Sequence, residues 1–175
     1  MISRLVLLVA LLGAGVFVGA RTGVGAPAAT TQCNPAAGFP AATTPIAFWS
    51  TEARCAIVPS GPGGVFGSEN FGNKFPGEAA VYMGIVHVAV YDAVVAIEGG
   101  YEPYVPTPDA PAGASSPAAI ATAAYETLTG LQPQLGANQA FLDGDYTAFM
   151  AAVPDAGTAK ADGVAVGRQI GRAHV

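Results

Sequence analysis

His87, Tyr91 and Asp92 fall within one apolar run, Phe75 to Glu98 (FPGEAAVYMGIVHVAVYDAVVAIE), and are the side chains there that could carry chemistry. An imidazole near a carboxylate suggests proton transfer, nucleophile activation or the start of a metal site. Each needs a third group. No serine of this chain stands in a nucleophile-elbow context to complete a Ser-His-Asp arrangement. His87 with Glu98 could begin a metal site, but a lone histidine on an apolar helix is more often a core residue satisfied by one hydrogen bond. Asp92 is the less usual residue, because a carboxylate in such a run must find a partner or shift its pKa. A backbone N–H, Arg54 or Lys74 are the expected partners. His87, Tyr91 and Asp92 are therefore read as a structural polar core, with no catalytic, cofactor-binding or metal-ligating residue assigned.

Two further patterns imitate sites without completing one. Gly61, Gly63, Gly64, Gly67 and Gly72 imitate a phosphate cradle, yet no Lys-Ser or Lys-Thr follows and no strand precedes. Asp143-Gly144-Asp145 opens like a calcium loop, but Thr and Ala occupy the later acidic positions, so a polar helix face is expected. Cys33 and Cys55 can pair, closing a loop worth about 3 kcal/mol in the chain-entropy model; two unpaired thiols are the alternative. The spacing resembles no zinc motif.

Composition narrows the function classes. The chain has 175 residues, enough for one domain with a sizeable core, and its net charge of −5 without a Lys/Arg cluster argues against nucleic acid. Only 11% of residues are charged and alanine supplies much of the apolarity, which favours helices over strands. Residues 1–28 read as a signal peptide: Arg4 gives a positive start, Leu5 to Ala20 is uncharged and apolar, and Ala26-Pro27-Ala28 supplies a small-residue cleavage pattern. The expected location is secreted or periplasmic.

The elements that must position these side chains follow from periodicity. The Phe75–Glu98 run is expected as the central helix, opened by Pro76 and Glu78 and closed by Gly99 and Gly100. A step of 100° per residue puts His87, Tyr91 and Glu98 on one stripe and Glu78, Tyr82 and Asp92 on another. Residues 29–45 are a flexible lead-in, and Ile46–Val58 is a short first helix. Tyr101–Ser115 carries four prolines and should lack regular structure, with Tyr101 and Tyr104 pinning its start to the core. Ser116 is expected to cap a helix running to about Thr129 and stopping at Gly130, its small residues set against the central helix. Asn138–Val153 forms a third strong helix, with Leu142, Tyr146, Phe149, Met150 and Val153 on its buried face. A further helix starts near Asp155 or Thr158, with Ala159, Gly163, Val166 and Ile170 on one side. Ile170-Gly171-Arg172-Ala173-His174-Val175 matches the translation of a common short-read sequencing adapter, so residues 170–175 are read as an artefact and His174 as not biological.

The run Val86 to Ile97, followed by Tyr101-Glu102-Pro103-Tyr104, resembles the N-terminal half of bacterial vanadium-dependent haloperoxidases, of the superfamily that includes type 2 phosphatidic acid phosphatases. Ser116-Pro117-Ala118-Ala119, Leu142 to Tyr146, Val153-Pro154-Asp155 and Ala161 to Gly167 are similar to that family's successive helix boundaries, in its order. Val95, where relatives often have Asn, and the glycine-rich connection depart from it. The resemblance implies an all-α helical bundle, secretion, and an oxyanion site holding vanadate or phosphate through Lys, Arg and backbone N–H groups. Those oxyanion residues belong to the family's C-terminal half, and none has a counterpart here. There is no Lys followed by Arg-Pro, no Pro-Ser-Gly-His, and no late Arg and His pair. The expectation is an all-α, incomplete bundle with long Gly/Pro-rich connections, residues 46–169 being the scaffold part of a haloperoxidase-like or acid phosphatase-like enzyme. Its partners would be the missing C-terminal helices of its own chain, with a homo-oligomer as an open alternative. A secreted, non-catalytic binding or structural module is the competing reading.

Overall fold

A computed structural model describes residues 44–58, 72–136, 139–155 and 157–175. Every regular element among them is a helix: α1 (Pro45–Ile57), α2 (Pro76–Glu98), α3 (Ser116–Leu135), α4 (Gln139–Ala152) and α5 (Thr158–Ala173). The fold is all-α, with the helices packed as a bundle. The signal peptide, most of the lead-in and most of the glycine-rich connection lie outside the described residues.

α3 is the helix on which the others assemble. Its position is fixed at the N-terminus by two adjacent serines with separate tasks. Ser116, the expected cap, instead donates to Glu98 Oε1 at 2.9 Å and ties α3 to the end of α2. Capping falls to Ser115, whose Oγ accepts from Ala118 N at 3.2 Å. The same Ser115 hydroxyl donates to Asp155, and its amide to Ala159 O, joining the start of α5.

α3 also runs further than expected. It passes Gly130 and Pro133 and ends at Gly136, which takes the left-handed conformation. Pro133 removes the bond to Thr129 O, and a proline inside a helix costs about 3 kcal/mol. Leu131 and Leu135 are both buried in the main core, and each is worth roughly 1.5–3 kcal/mol, so burial carries the helix through the breakers.

The main core lies between α1, α2, α3 and α4, around Trp49, Ile57, Val86, Val90, Leu128, Leu135, Leu142 and Phe149. A smaller cluster of Ala89, Ala93, Ala119, Ala123, Val166 and Ile170 joins α2, α3 and α5. The small residues of α3 were expected to admit α2; their closest approach is to α5. Gly163, Gly167 and Gly171, spaced four apart, lie against the α3 backbone. A Cβ at Gly163 would stand 2.3 Å from Ser115 O, and one at Gly167 2.3 Å from Ala119 O. The other end of the bundle is closed by residues 72–74, which satisfy the last carbonyls of α1: Gly72 N bonds to Cys55 O and Lys74 N to Ile57 O.

Candidate functional site

Three polar groupings interrupt the apolar packing. The first lies at His87, one of the three side chains expected to form a structural polar core. His87 is exposed, not a core residue. Its Nε2 lies 3.3 Å from Ser50 Oγ on α1. Ile46, Trp49, Ser50, Val86, His87 and Val90 line a cleft of about 10 Å³ there, the space of one water. A serine beside a histidine is half of a nucleophilic arrangement, but no carboxylate orients the other ring nitrogen among the described residues.

The second grouping surrounds Asp92, which is fully buried. Its Oδ1 accepts from Tyr104 N at 2.8 Å and its Oδ2 from Val105 N at 3.2 Å. Of the partners expected for it, the backbone N–H is the one found; Lys74 is engaged with Glu78 at 2.9 Å. Tyr91 is half-buried and donates to Glu102 O at 3.1 Å, and its ring meets Tyr104 edge to face. The proline-rich connection is therefore pinned where Asp92 and Tyr91 hold the amide and ring of Tyr104, while Tyr101 stands 77% exposed. The physical reason is that backbone amides leaving a helix end need acceptors more than a phenol needs burial. His174 Nε2 also reaches Asp92 Oδ2, at 3.2 Å, while its Nδ1 lies 3.0 Å from Ile170 O. This grouping is a structural knot, with every Asp92 oxygen committed.

The third grouping was not foreseen. Glu52 on α1 and Asp145 on α4 are 1% and 6% exposed, and they face each other across a seam of aromatic rings. Phe48 and Trp49 of α1 meet Phe149 of α4 at ring separations of 5.2 and 5.8 Å, and Trp49 meets Tyr146 at 6.2 Å. Both Glu52 oxygens and Asp145 Oδ2 are buried without a donor, as is the indole N–H of Trp49 without an acceptor. Two ionised carboxylates are acceptors only and cannot bond to one another; a proton held between them makes one a donor. Burial, then the neighbouring charge of Asp145, pushes Glu52 up to about 9. Burial likewise pushes Asp145 up to about 6, its hydrogen bond to Glu52 opposing the rise. At neutral pH the pair holds one proton between its two carboxyls.

Asp145 had been expected on a polar helix face. Asp143 and Gly144 do lie on one, with Asp143 accepting from Tyr125 Oη and Gln139 Nε2 at 2.7 Å each. Asp145 instead occupies a core position three residues after Leu142 and four before Phe149. Glu52 does the same on α1, in step with Phe48, Trp49, Cys55 and Ala56. An acidic residue standing in phase with an apolar stripe was the available signal in both helices; that the two would meet was not.

Cys55 is disulfide-bonded; Cys33, the other cysteine of the chain, lies outside the described residues. The described residues do not assemble an oxyanion cradle. Arg168 and Arg172 both pair with Glu126, Lys74 with Glu78, and Lys160 donates to Met150 O. No group of three or more His, Cys, Asp or Glu side chains among them could hold a metal. Compared with known proteins, the chain matches no family model, no curated protein and no solved structure.

Proposed function

We propose that this chain is the N-terminal scaffold of an exported enzyme in the haloperoxidase and acid phosphatase superfamily, with the catalytic residues on helices that pack against α2. The observation that carries the reading is the state of α2. It is long and apolar enough to cross a membrane, a property that the core helix of a soluble protein shares, yet only 33% of its most apolar window is buried. One flank, with Ala80, Val81, Gly84, His87 and Val88, meets solvent, and Val81 is 63% exposed. An apolar face left open in this way marks a surface for further packing. The order of family-like segments along α2 to α5 supports the same reading, as does the all-α bundle.

In this proposal the whole protein oxidises halide with hydrogen peroxide on bound vanadate, or hydrolyses a phosphomonoester through a phosphohistidine. The described residues make no place for that oxyanion, so no step of either reaction is assigned to them. Asp92 and Tyr91 orient the connection between α2 and α3. Secretion or periplasmic export belongs to the proposal through residues 1–28.

Sequencing the genomic DNA beyond the codon for Gln169 tests this directly. The expected result is an open frame that departs from Ile170 onward and encodes Lys followed by Arg-Pro, then Pro-Ser-Gly-His, then a late Arg and His pair. A frame that ends at Val175, or continues without those motifs, would sink the reading and favour a secreted binding or structural module. With the longer protein in hand, vanadate-dependent halogenation of a dye identifies the oxidase, and phosphate release blocked by vanadate identifies the phosphatase. The 175-residue chain alone is expected to show neither activity.

A further inference from the structure

The Glu52–Asp145 pair has no part in that reading, and its placement calls for a separate account. α4 has the fewest buried residues of the five helices: Leu142, Asp145 and Phe149. One of those three is a carboxyl group facing another carboxyl group. A buried polar pair is stable only when its members satisfy each other, and this pair can do so only with a proton between them. Among the described residues no cation stands by to replace the proton. On α1, Arg54 is half-exposed, is engaged in an interaction of its own, and does not contribute to the titration of either carboxyl. On α2 and the segment before it, Lys74 is paired with Glu78. On α3, the Tyr125 ring stacks on Tyr146 at 4.2 Å and its hydroxyl is given to Asp143, while Glu126 holds Arg168 and Arg172. On α5, Lys160 is bound to Met150 O.

We propose that Glu52 and Asp145 form a proton-operated clasp: one shared proton fastens α4 to α1, and its loss to solvent sets two buried anions against each other and frees α4. The direction follows from linkage. Both groups titrate higher in the folded protein than their ordinary carboxylate values, so the fold holds protons that the unfolded chain has released. The clasp's contribution is complete below the ordinary carboxylate range. It declines as pH rises, and is gone once Glu52 has passed about 9. α3 and α5, whose seam is made of glycine, alanine and backbone carbonyls, should not respond.

Hydrogen exchange on the intact 175-residue chain at pH 6 and pH 9, corrected for the intrinsic rate, reads this helix by helix. The expected result is a fall in protection of about tenfold or more across α4, with α3 and α5 unchanged, and a fall of less than about threefold in Glu52→Gln, which carries a permanent neutral donor. Equal pH dependence in the wild type and Glu52→Gln, or flat protection of α4 in the wild type, overturns the clasp. Should Glu52→Gln fail to fold, infrared spectroscopy of the wild type decides alone. A protonated carboxyl C=O stretch at pH 7 that disappears by pH 10 supports the shared proton, and its absence at pH 7 refutes it. Neither measurement depends on what enzyme, if any, the chain belongs to.

Discussion

Two seams of this bundle solve the same packing problem by opposite means. Between α3 and α5, glycines at 163, 167 and 171 let backbone lie on backbone, and a pair of arginines on one glutamate closes the rim. Between α1 and α4, large rings fill the gap and two carboxyls sit among them. The first seam has no adjustable part: nothing in its interior titrates, and each contact is limited by main-chain position. The second rests on ring contacts and on a proton, so it is the one that conditions can alter. A bundle built this way has a fixed half and a conditional half.

Substitutions can break or sharpen that contrast. The largest effect is expected from Trp49→Ala, which empties the centre of the α1–α4 seam and should cost about 3–5 kcal/mol in urea denaturation. A loss below about 1 kcal/mol would mean that the seam can collapse around the void and is not the principal source of stability. Next comes Gly167→Ala, a single methyl forced to within 2.3 Å of Ala119 O and 2.9 Å of Thr122 Cβ. Overpacking against the main chain should cost about 1–3 kcal/mol, independent of pH; a neutral result would show that α5 slides freely on α3. The smallest effect, and of opposite sign, is expected from Gly144→Ala. That glycine is helical, exposed, and has nothing within 4 Å of where a Cβ would go, so alanine should raise the unfolding free energy measured in urea by about 0.5–1 kcal/mol. The two glycine variants thus separate a glycine required by close approach from one that merely weakens its helix.

The helices themselves were readable because their signals are local. Pro76 and Glu78 at one end of α2 and Gly99 at the other act within a turn of where they stand, and Gly99 does close the helix with φ of 70° and its amide on Val95 O. The expected polar core was less readable. Asp92 is buried, but His87 is exposed and Tyr91 half-buried, because one apolar helix can turn either of two thin stripes to its neighbours, and periodicity does not say which. The exchange of roles between Ser115 and Ser116 was hidden for a similar reason: both can cap, and only the arrival of Glu98 decides which hydroxyl is free to do so.

By itself the sequence determined that this chain is helical, where its helices begin, and which faces are apolar, since those depend on propensity and spacing over a few residues. Only the tertiary structure decided that α3 runs on through Pro133, that α5 rather than α2 fills its row of small residues, and that Glu52 meets Asp145. Each of those depends on free energy gained between residues distant in the chain, by burial, by close backbone contact, or by a proton that neither carboxyl would keep alone.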